Sequence, residues 1–438
     1  MKTEFFDLAE QLRRELHTDE VLLCFFSGER SDFVRFNRAL VRQAGSVEQR
    51  YVTLRLIHGR RQASATVSLA GGSDDLTACR RAMHSVRETL LQLPDDPWLL
   101  YSEVPHSTAT ERRGRLPPAE HVIGEVTAAA KGLDFVGFYA GGTVFRGFAN
   151  SLGQHNWHEV DAYNFDWSLH LDGDKAVKNG YAGLDWDPAV FEIKVADSAR
   201  ELQRMKEPPR TLGPGEYRAY LAPAAVEEIT GLLSYRAFSM RARATHQSAL
   251  TRMDEGERLS PQITIVENTQ GGFSPAFQED GYVKPGAVVL IDRGAPAESL
   301  VSPRSAREYG VAPNGASAHE TPESLELNGG DLPDEHVLSA LDTGLYVGNL
   351  WYLNFSDKPA GRMTGMTRFA TFWVERGRIV APVNPLRFDD TVYRMFGRKL
   401  ERLTRSRELL LSTSTYDERS TASSRLPGAL LASLRFTL

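Results

Sequence analysis

"GLYVGNLWYLNFSDKPAGRMTGMTRFATFWVERGRIVAPV", residues 344–383, decides how the second half of this chain is read. Its runs at 344–355 and 367–383 are dense in β-branched, aromatic and aliphatic residues, a composition that suits pleated strands. Between them "GRMTGMTRF", residues 361–369, reads as a turn in which Gly361 and Gly365 tolerate unusual φ. The tail "ALLASLRFTL" from residue 429 repeats the strand signal, and a helix is expected near 389–401.

Upstream, "YRAYLAP" (217–223), "QITIVEN" (262–268) and "AVVLIDR" (287–293) read as further strands. Among them Val226, Ile229, Leu233, Ala237, Met240 and Ala244 fall at three- and four-residue steps, which predicts one helix over 224–250 with one buried face. Residues 294–333 are rich in glycine, serine and proline, with little periodicity, and are expected to form a functional or mobile loop.

The N-terminal half has a different rhythm. Phe5, Phe6, Ala9, Leu12 and Leu16 mark a helix ending near His17; short strand runs follow, then a helix over 74–92. A proline-containing stretch at 94–118 marks a possible subdivision. Beyond it the order recurs: a helix over 119–131, strands with a tight hairpin expected at Gly141-Gly142, and a long helix over 188–205. The prolines and glycines of 206–215 make the best linker. The chain is therefore expected to be α+β: a region of helices on antiparallel sheets at 1–205, then a larger β-rich domain at 216–438 containing the helix of 224–250.

Composition excludes several classes. Over 438 residues the net charge is −6, which gives no reason to expect nucleic acid or an anionic membrane as partner. Only nine of the 51 basic residues are lysines, so arginine clusters are this chain's background habit. Cys24 and Cys79 form neither a disulfide framework nor a zinc spacing, and fit a reducing compartment. Glu4 and Asp7 interrupt what would be the apolar core of a signal peptide, so a cytoplasmic location is expected.

Signatures for phosphate loops, dinucleotide folds and serine nucleophile elbows are missing from the sequence. His158-Glu159 and His319-Glu320 lack the second histidine that a zinc helix needs. In a strand, His155 and His158 of "HNWHE" point to opposite faces and do not share a metal. His246 reads as a helix-end residue, and Arg241 and Arg243 as a solvated face.

Three stretches together resemble the TldD/PmbA family, on its PmbA (TldE) side: "RFNRALVRQAGSVEQ" (35–49), "RGFANSLGQHNWHEVDAYNFDWSL" (146–169) and the opening quotation, whose "FWVERGRI" is the most specific. The resemblance implies a family in which a catalytic subunit carries HExxxH on a helix after a leucine pair, and a related subunit lacks it. Here "GLLSYRAFS" holds that place, so Ser234, Tyr235 and Ser239 stand where the histidine, glutamate and second histidine would be. The family's C-terminal zinc-binding cysteine has no counterpart.

No catalytic and no metal-ligating residue is therefore expected in this chain, and zinc is expected in the partner subunit. The implied partners are an HExxxH-bearing TldD-like paralogue and an extended or unfolded peptide, with a homodimer also open. Candidate peptide contacts are Arg236, Arg362, Thr364, Thr367 and Arg368, the arginines for a carboxylate and the threonines for backbone groups. Two other readings stay open: a stand-alone binding or regulatory protein, following the family's older gyrase-modulator label, and a hydrolase with a noncanonical site built on Tyr235 or His246.

Overall fold

The computed structural model describes residues 1–171 and 175–437. Its N-terminal half uses one pattern twice. Helix α1 (Lys2–Arg13), strands β1 (Glu20–Asn37), β2 (Leu40–His58) and β3 (Arg61–Ser68), and helix α2 (Asp74–Leu90) form the first set. After β4 (Ser107–Arg112) come α3 (Ala119–Ala129), β5 (Asp134–Asn150), β6 (His155–His170), β7 (Ala176–Gly183) and α4 (Pro188–Arg204). The recurrence of helix, strands, helix follows the sequence pattern, with the first two strand runs of each set joined into one long strand, β1 and β5.

All seven strands share one sheet, in the order β3-β2-β1-β5-β6-β4 with β7 also paired to β6. The two sets meet where β1 and β5 run antiparallel, from Leu23 opposite Asn150 to Asn37 opposite Val136. Gly141 and Gly142, expected at a hairpin, instead lie inside β5. Gly142 sits at φ +145, and a Cβ there would run into the Arg30 carbonyl oxygen of β1. Gly142 allows two backbones to approach and Gly141 leaves room for the Tyr139 ring; neither reverses the chain.

Alternation gives the sheet two buried faces. Leu22, Cys24, Phe26 and Phe145 face α1 and α2, while Val34, Phe36, Phe135 and Tyr139 face α3 and α4. The other parity, Leu23, Val144 and Phe148, packs on Phe273, Phe277 and Leu411 from the C-terminal half. Each aromatic or aliphatic side chain so enclosed contributes about 1.5–3 kcal/mol.

The C-terminal half opens with β8 (Gly215–Leu221), α5 (Pro223–Ser234), α6 (Met240–Ala244) and α7 (Thr251–Asp254). Strands β9 (Ile265–Glu267), β10 (Val288–Asp292) and β11 (Ala295–Pro296), helix α8 (Pro303–Tyr309) and β12 (Ser324–Leu327) follow. Then come α9 (Val337–Leu341), β13 (Gly344–Asp357), β14 (Arg362–Glu375), β15 (Arg378–Pro382), β16 (Arg387–Thr391) and β17 (Leu400–Leu403). The last strands are β18 (Glu408–Leu411), β19 (Ser423–Leu426) and β20 (Ala429–Phe436). Strands β13, β8, β20, β16 and β14 close into a ring through the β13–β14 pairing, and a second sheet runs β11-β10-β9-β12-β19-β18. Within the ring Leu221, Val347, Met363, Phe388 and Leu431 pack with Val226, Ile229 and Leu233 of α5.

Three expectations are corrected here. Residues 362–369 belong to β14, and the chain reverses just before them, where Gly361 at φ +59 bonds back to Lys358. Gly365 serves packing, since a Cβ there would press on Leu353 and the Phe388 ring. Residues 389–401 hold the end of β16, one wide helical turn at Arg394–Arg398 and the start of β17. Residues 294–333 are folded, holding β11, α8 and β12. Among the described residues no helix is long and apolar enough to cross a membrane.

Gly142→Ala should lower the unfolding free energy by about 2–3 kcal/mol, because neither backbone can yield without breaking the β1–β5 ladder. Gly45→Ala on the open part of β2, where a Cβ meets nothing within 4 Å, is the control and should change it by less than about 1 kcal/mol. Urea unfolding of the two variants checks this.

Candidate functional site

Helix α5 begins with Pro223, at a position where the missing N–H leaves no hydrogen bond unmade. Ala225, Val226, Ile229 and Leu233 bury one face. The opposite face, with Glu227, Glu228, Gly231 and Ser234, lines a groove of about 510 Å³. Across it stand Lys178 of β7 and Leu410, Leu411, Ser423 and Ser424 of β18 and β19, with Leu325 and Leu353 completing the lining. Both halves of the chain therefore build it.

Two carboxylates set the electrostatics of this groove. Glu227 is pushed up to about 7, first by burial and then by the neighbouring Glu228 charge, against the pull of Lys178. Glu228 is raised in the same way by burial, with Lys178 again opposing. From sequence these adjacent acids read as the wet side of an amphipathic helix; only the walls brought by β7 and β18 reveal them as half-buried.

The helix expected over 224–250 ends at Ser234. Ser234 Oγ donates back to the Thr230 carbonyl at 2.8 Å, and Tyr235 leaves the helix at ψ 81. Arg236 then adopts φ +73, a left-handed conformation uncommon for a side chain of this kind. Burial of Ala237 and Phe238, and backbone bonds from Leu300 to Phe238 and from Met240 to Leu300, hold the bend. Of the predicted face, Val226, Ile229, Leu233 and Ala237 are buried, but Met240 is only half-buried and Ala244 is exposed; Ala242 is buried instead. The break re-phases everything after it.

Ser239 restarts the helix as the N-cap of α6, its Oγ accepting from Ala242 N at 3.1 Å. That hydroxyl donates to Glu320 Oε2 at 2.5 Å, and Arg241 N donates to the same oxygen at 3.1 Å. Glu320 Oε1 accepts from the backbone N–H and hydroxyl of Ser302, the N-cap of α8, at 2.8 and 2.9 Å. One buried carboxylate thus anchors two helix starts. Burial works to raise its pKa, but the hydrogen bonds from Ser239, Ser302 and Arg241 prevail and hold it below the ordinary value.

The remaining candidates are scattered. Of the three motif positions only Ser234 lines the groove: Tyr235 is 59% exposed and Ser239 is enclosed in its cap. Arg236 lies over the Tyr235 ring at 5.4 Å, with the Lys358 ammonium 5.5 Å from the same ring. Arg362 is held by Asp389 at 2.9 Å, Thr364 Oγ1 donates to the Phe388 carbonyl, and Thr367 Oγ1 accepts from Leu386 N. Arg368 is exposed and lines a separate small cavity. His155 and His158 do face opposite ways: His155 is exposed, while His158 is buried with Nε2 2.9 Å from the Phe273 carbonyl oxygen. Burial pushes His158 down to about 4. His246 is exposed past the end of α6.

Zinc does not fit the donor set at the motif positions. Ser234 and Ser239 are neutral hydroxyls whose protons go to a carbonyl and a carboxylate, and Tyr235 is a surface phenol. Both cysteines are buried in the N-terminal half with raised thiol pKa values, chiefly from burial. Among the described residues no three histidine, cysteine or acidic side chains are gathered to hold a metal.

A model of the PmbA/TldA metallopeptidase C-terminal domain matches residues 214–437. No curated protein matches the chain in sequence. Among solved structures, TldE from Thermococcus kodakarensis superposes at TM-score 0.79 with 15% identity, covering 99% of this chain and 100% of that one. A protein described as a candidate modulator of a DNA gyrase, from Thermotoga maritima, gives TM-score 0.76 and 14% identity over 100% of both chains. Another so described, from Bacteroides thetaiotaomicron, gives 0.76 and 14% over 99% and 98%. At such identities the likeness is one of fold.

Glu320→Ala should cost about 2–3 kcal/mol at neutral pH, since two caps are lost together. The folded pKa of Glu320 lies below the ordinary 4.5, so its contribution is complete above 4.5 and fades as pH falls through the folded value. The wild-type advantage over the variant should therefore shrink in acid, as read by denaturant unfolding at several pH values. Glu227 has the opposite sign. Between 4.5 and about 7 its folded form keeps a proton that the unfolded chain has released, so stability falls as pH rises. Glu227→Gln should remove that fall, melting with wild type near pH 4 and above it at pH 8, by about 1–2 kcal/mol after solvent screening.

Proposed function

The chain belongs to the PmbA/TldD metallopeptidase family, and from that premise we propose that it is the non-catalytic subunit of a TldD/TldE-type peptidase. In this reading an HExxxH-bearing paralogue supplies the zinc and the activated water, and this chain holds peptide beside it. What carries the reading is the donor set on and after α5: hydroxyls at all three motif positions, none a zinc ligand near neutral pH, next to a groove large enough for several residues of extended chain.

Each part of the groove has a task. Leu325, Leu353 and Leu410 offer apolar contact to substrate side chains, and the hydroxyl of Ser424, opposite Leu325 and Leu410 in the sheet, offers a hydrogen bond to an extended backbone. Glu227 and Glu228 favour a basic side chain or a free amine. The bend at Tyr235 and Arg236 presents an exposed aromatic ring flanked by two cations, a surface suited to contact with a second subunit.

Purified alone, the chain should show no chelator-sensitive peptide cleavage; mixed with the HExxxH paralogue it should bind in a fixed ratio, and cleavage should appear. Gly231→Trp fills the groove at a point where a Cβ meets nothing within 4 Å, so folding and assembly should persist while cleavage by the pair falls at least tenfold. Zinc-dependent cleavage by the lone chain, or full activity of the Gly231→Trp pair, would overturn the proposal.

A further inference from the structure

A second cavity, of about 90 Å³, lies where β14 bulges against β13. The register slips between Val347 opposite Thr371 and Asn349 opposite Arg368, so Gly348 faces two residues. One of them, Phe369, takes φ +60. Bulges re-aim side chains, and this one brings Thr367, Arg368, Phe369 and Thr371 to the lining of a single cavity, joined by Lys175 just ahead of β7 and by Asn384.

Three observations give this cavity a chemical character. Thr371 is 1% exposed, yet its hydroxyl has no hydrogen-bond partner, a costly state for a buried donor. Two cations line the cavity, and no acidic side chain does among the described residues. Lys175 is held in place by its bond to the Met205 carbonyl at 2.8 Å, and the Arg368 guanidinium lies 5.9 Å from the centre of the Phe369 ring.

We propose that this cavity binds a small carboxylate: the Thr371 O–H donates to one oxygen, and Arg368 and Lys175 supply the opposing charge. The volume admits a carboxylate with a short stem. Two sources share that chemistry, the C-terminal carboxylate of a peptide and a free small acid. The proposal needs neither the α5 groove nor a partner subunit, so it stands or falls separately from them.

The test uses the full chain and three probes, trialanine, trialanine amide and acetate, followed by calorimetry and by chemical shifts of the Thr371 region. Trialanine should bind, its amide at least about tenfold more weakly, and Arg368→Met and Thr371→Val should each weaken trialanine by about tenfold. Thr371→Val is isosteric and should melt no lower than wild type, which separates lost binding from lost folding. Acetate binding as tightly as trialanine identifies a free small acid as the occupant; much weaker acetate identifies the peptide terminus. Equal binding of trialanine and its amide, no binding of either acid, or unchanged affinity in both variants would overturn the proposal.

Discussion

The structure depends on how the second face of the N-terminal sheet is satisfied. That face carries not only Leu23, Val144 and Phe148 but also Glu29, Ser31, Arg146 and His158, all buried. Buried charges of this kind need partners of opposite charge or hydrogen bonds. The connection between β18 and β19 answers the need: Arg419 donates to Ser31 Oγ at 3.2 Å, to the Gly142 carbonyl at 3.2 Å and to the Ala162 carbonyl at 2.7 Å. Its neighbour Glu418 pairs with Arg146 at 3.0 Å, while Ser31 donates to Glu29 at 2.8 Å. The two halves are stapled by polar groups that neither half satisfies alone.

The α5 groove is a consequence of that staple. Its far wall is β18 and β19, whose connecting segment is the one locked to the sheet, and Lys178 reaches it from β7 of the same sheet. Lys194 of α4 pairs with Glu408 at the start of β18 at 2.7 Å, a second tie across the same junction. A cleft whose walls come from different halves holds its width only as firmly as those ties hold. The polar staple therefore fixes the width of the cleft as well as adding stability.

Legibility from sequence followed the range of the forces involved. The doubled helix–strands–helix order, the β-rich C-terminal half and the buried face of α5 through Leu233 were readable, because alternation and the helical step are local properties of the chain. The Gly141-Gly142 pair was misread because the constraint on Gly142 is the Arg30 carbonyl, more than 100 residues away in sequence, while Gly141 makes room for the Tyr139 ring. The end of α5 was missed for a similar reason: nothing between Ser234 and Ser239 is a helix breaker, and the bend is imposed by Leu300 and Glu320. His319-Glu320 was inspected as a metal pair, and its glutamate proves to hold the two serine caps of α6 and α8. Of the named peptide contacts, Arg362, Thr364 and Thr367 are occupied within the strands, a fact of register that no residue type announces.

The positions that the family resemblance sets against HExxxH each have a structural task. A continuous helix would keep residues 234, 235 and 239 on one rigid rod, as joint metal ligation demands. Here the rod is cut between them and each residue is recruited to a different end: Ser234 to the groove, Tyr235 to the surface, Ser239 to the cap held by Glu320. An imidazole at 239 would have to displace a hydroxyl that already bridges Glu320 to Ala242 N, and would leave a buried carboxylate without its closest donor. The backbone of this segment is set around a serine cap instead of running on as one helix.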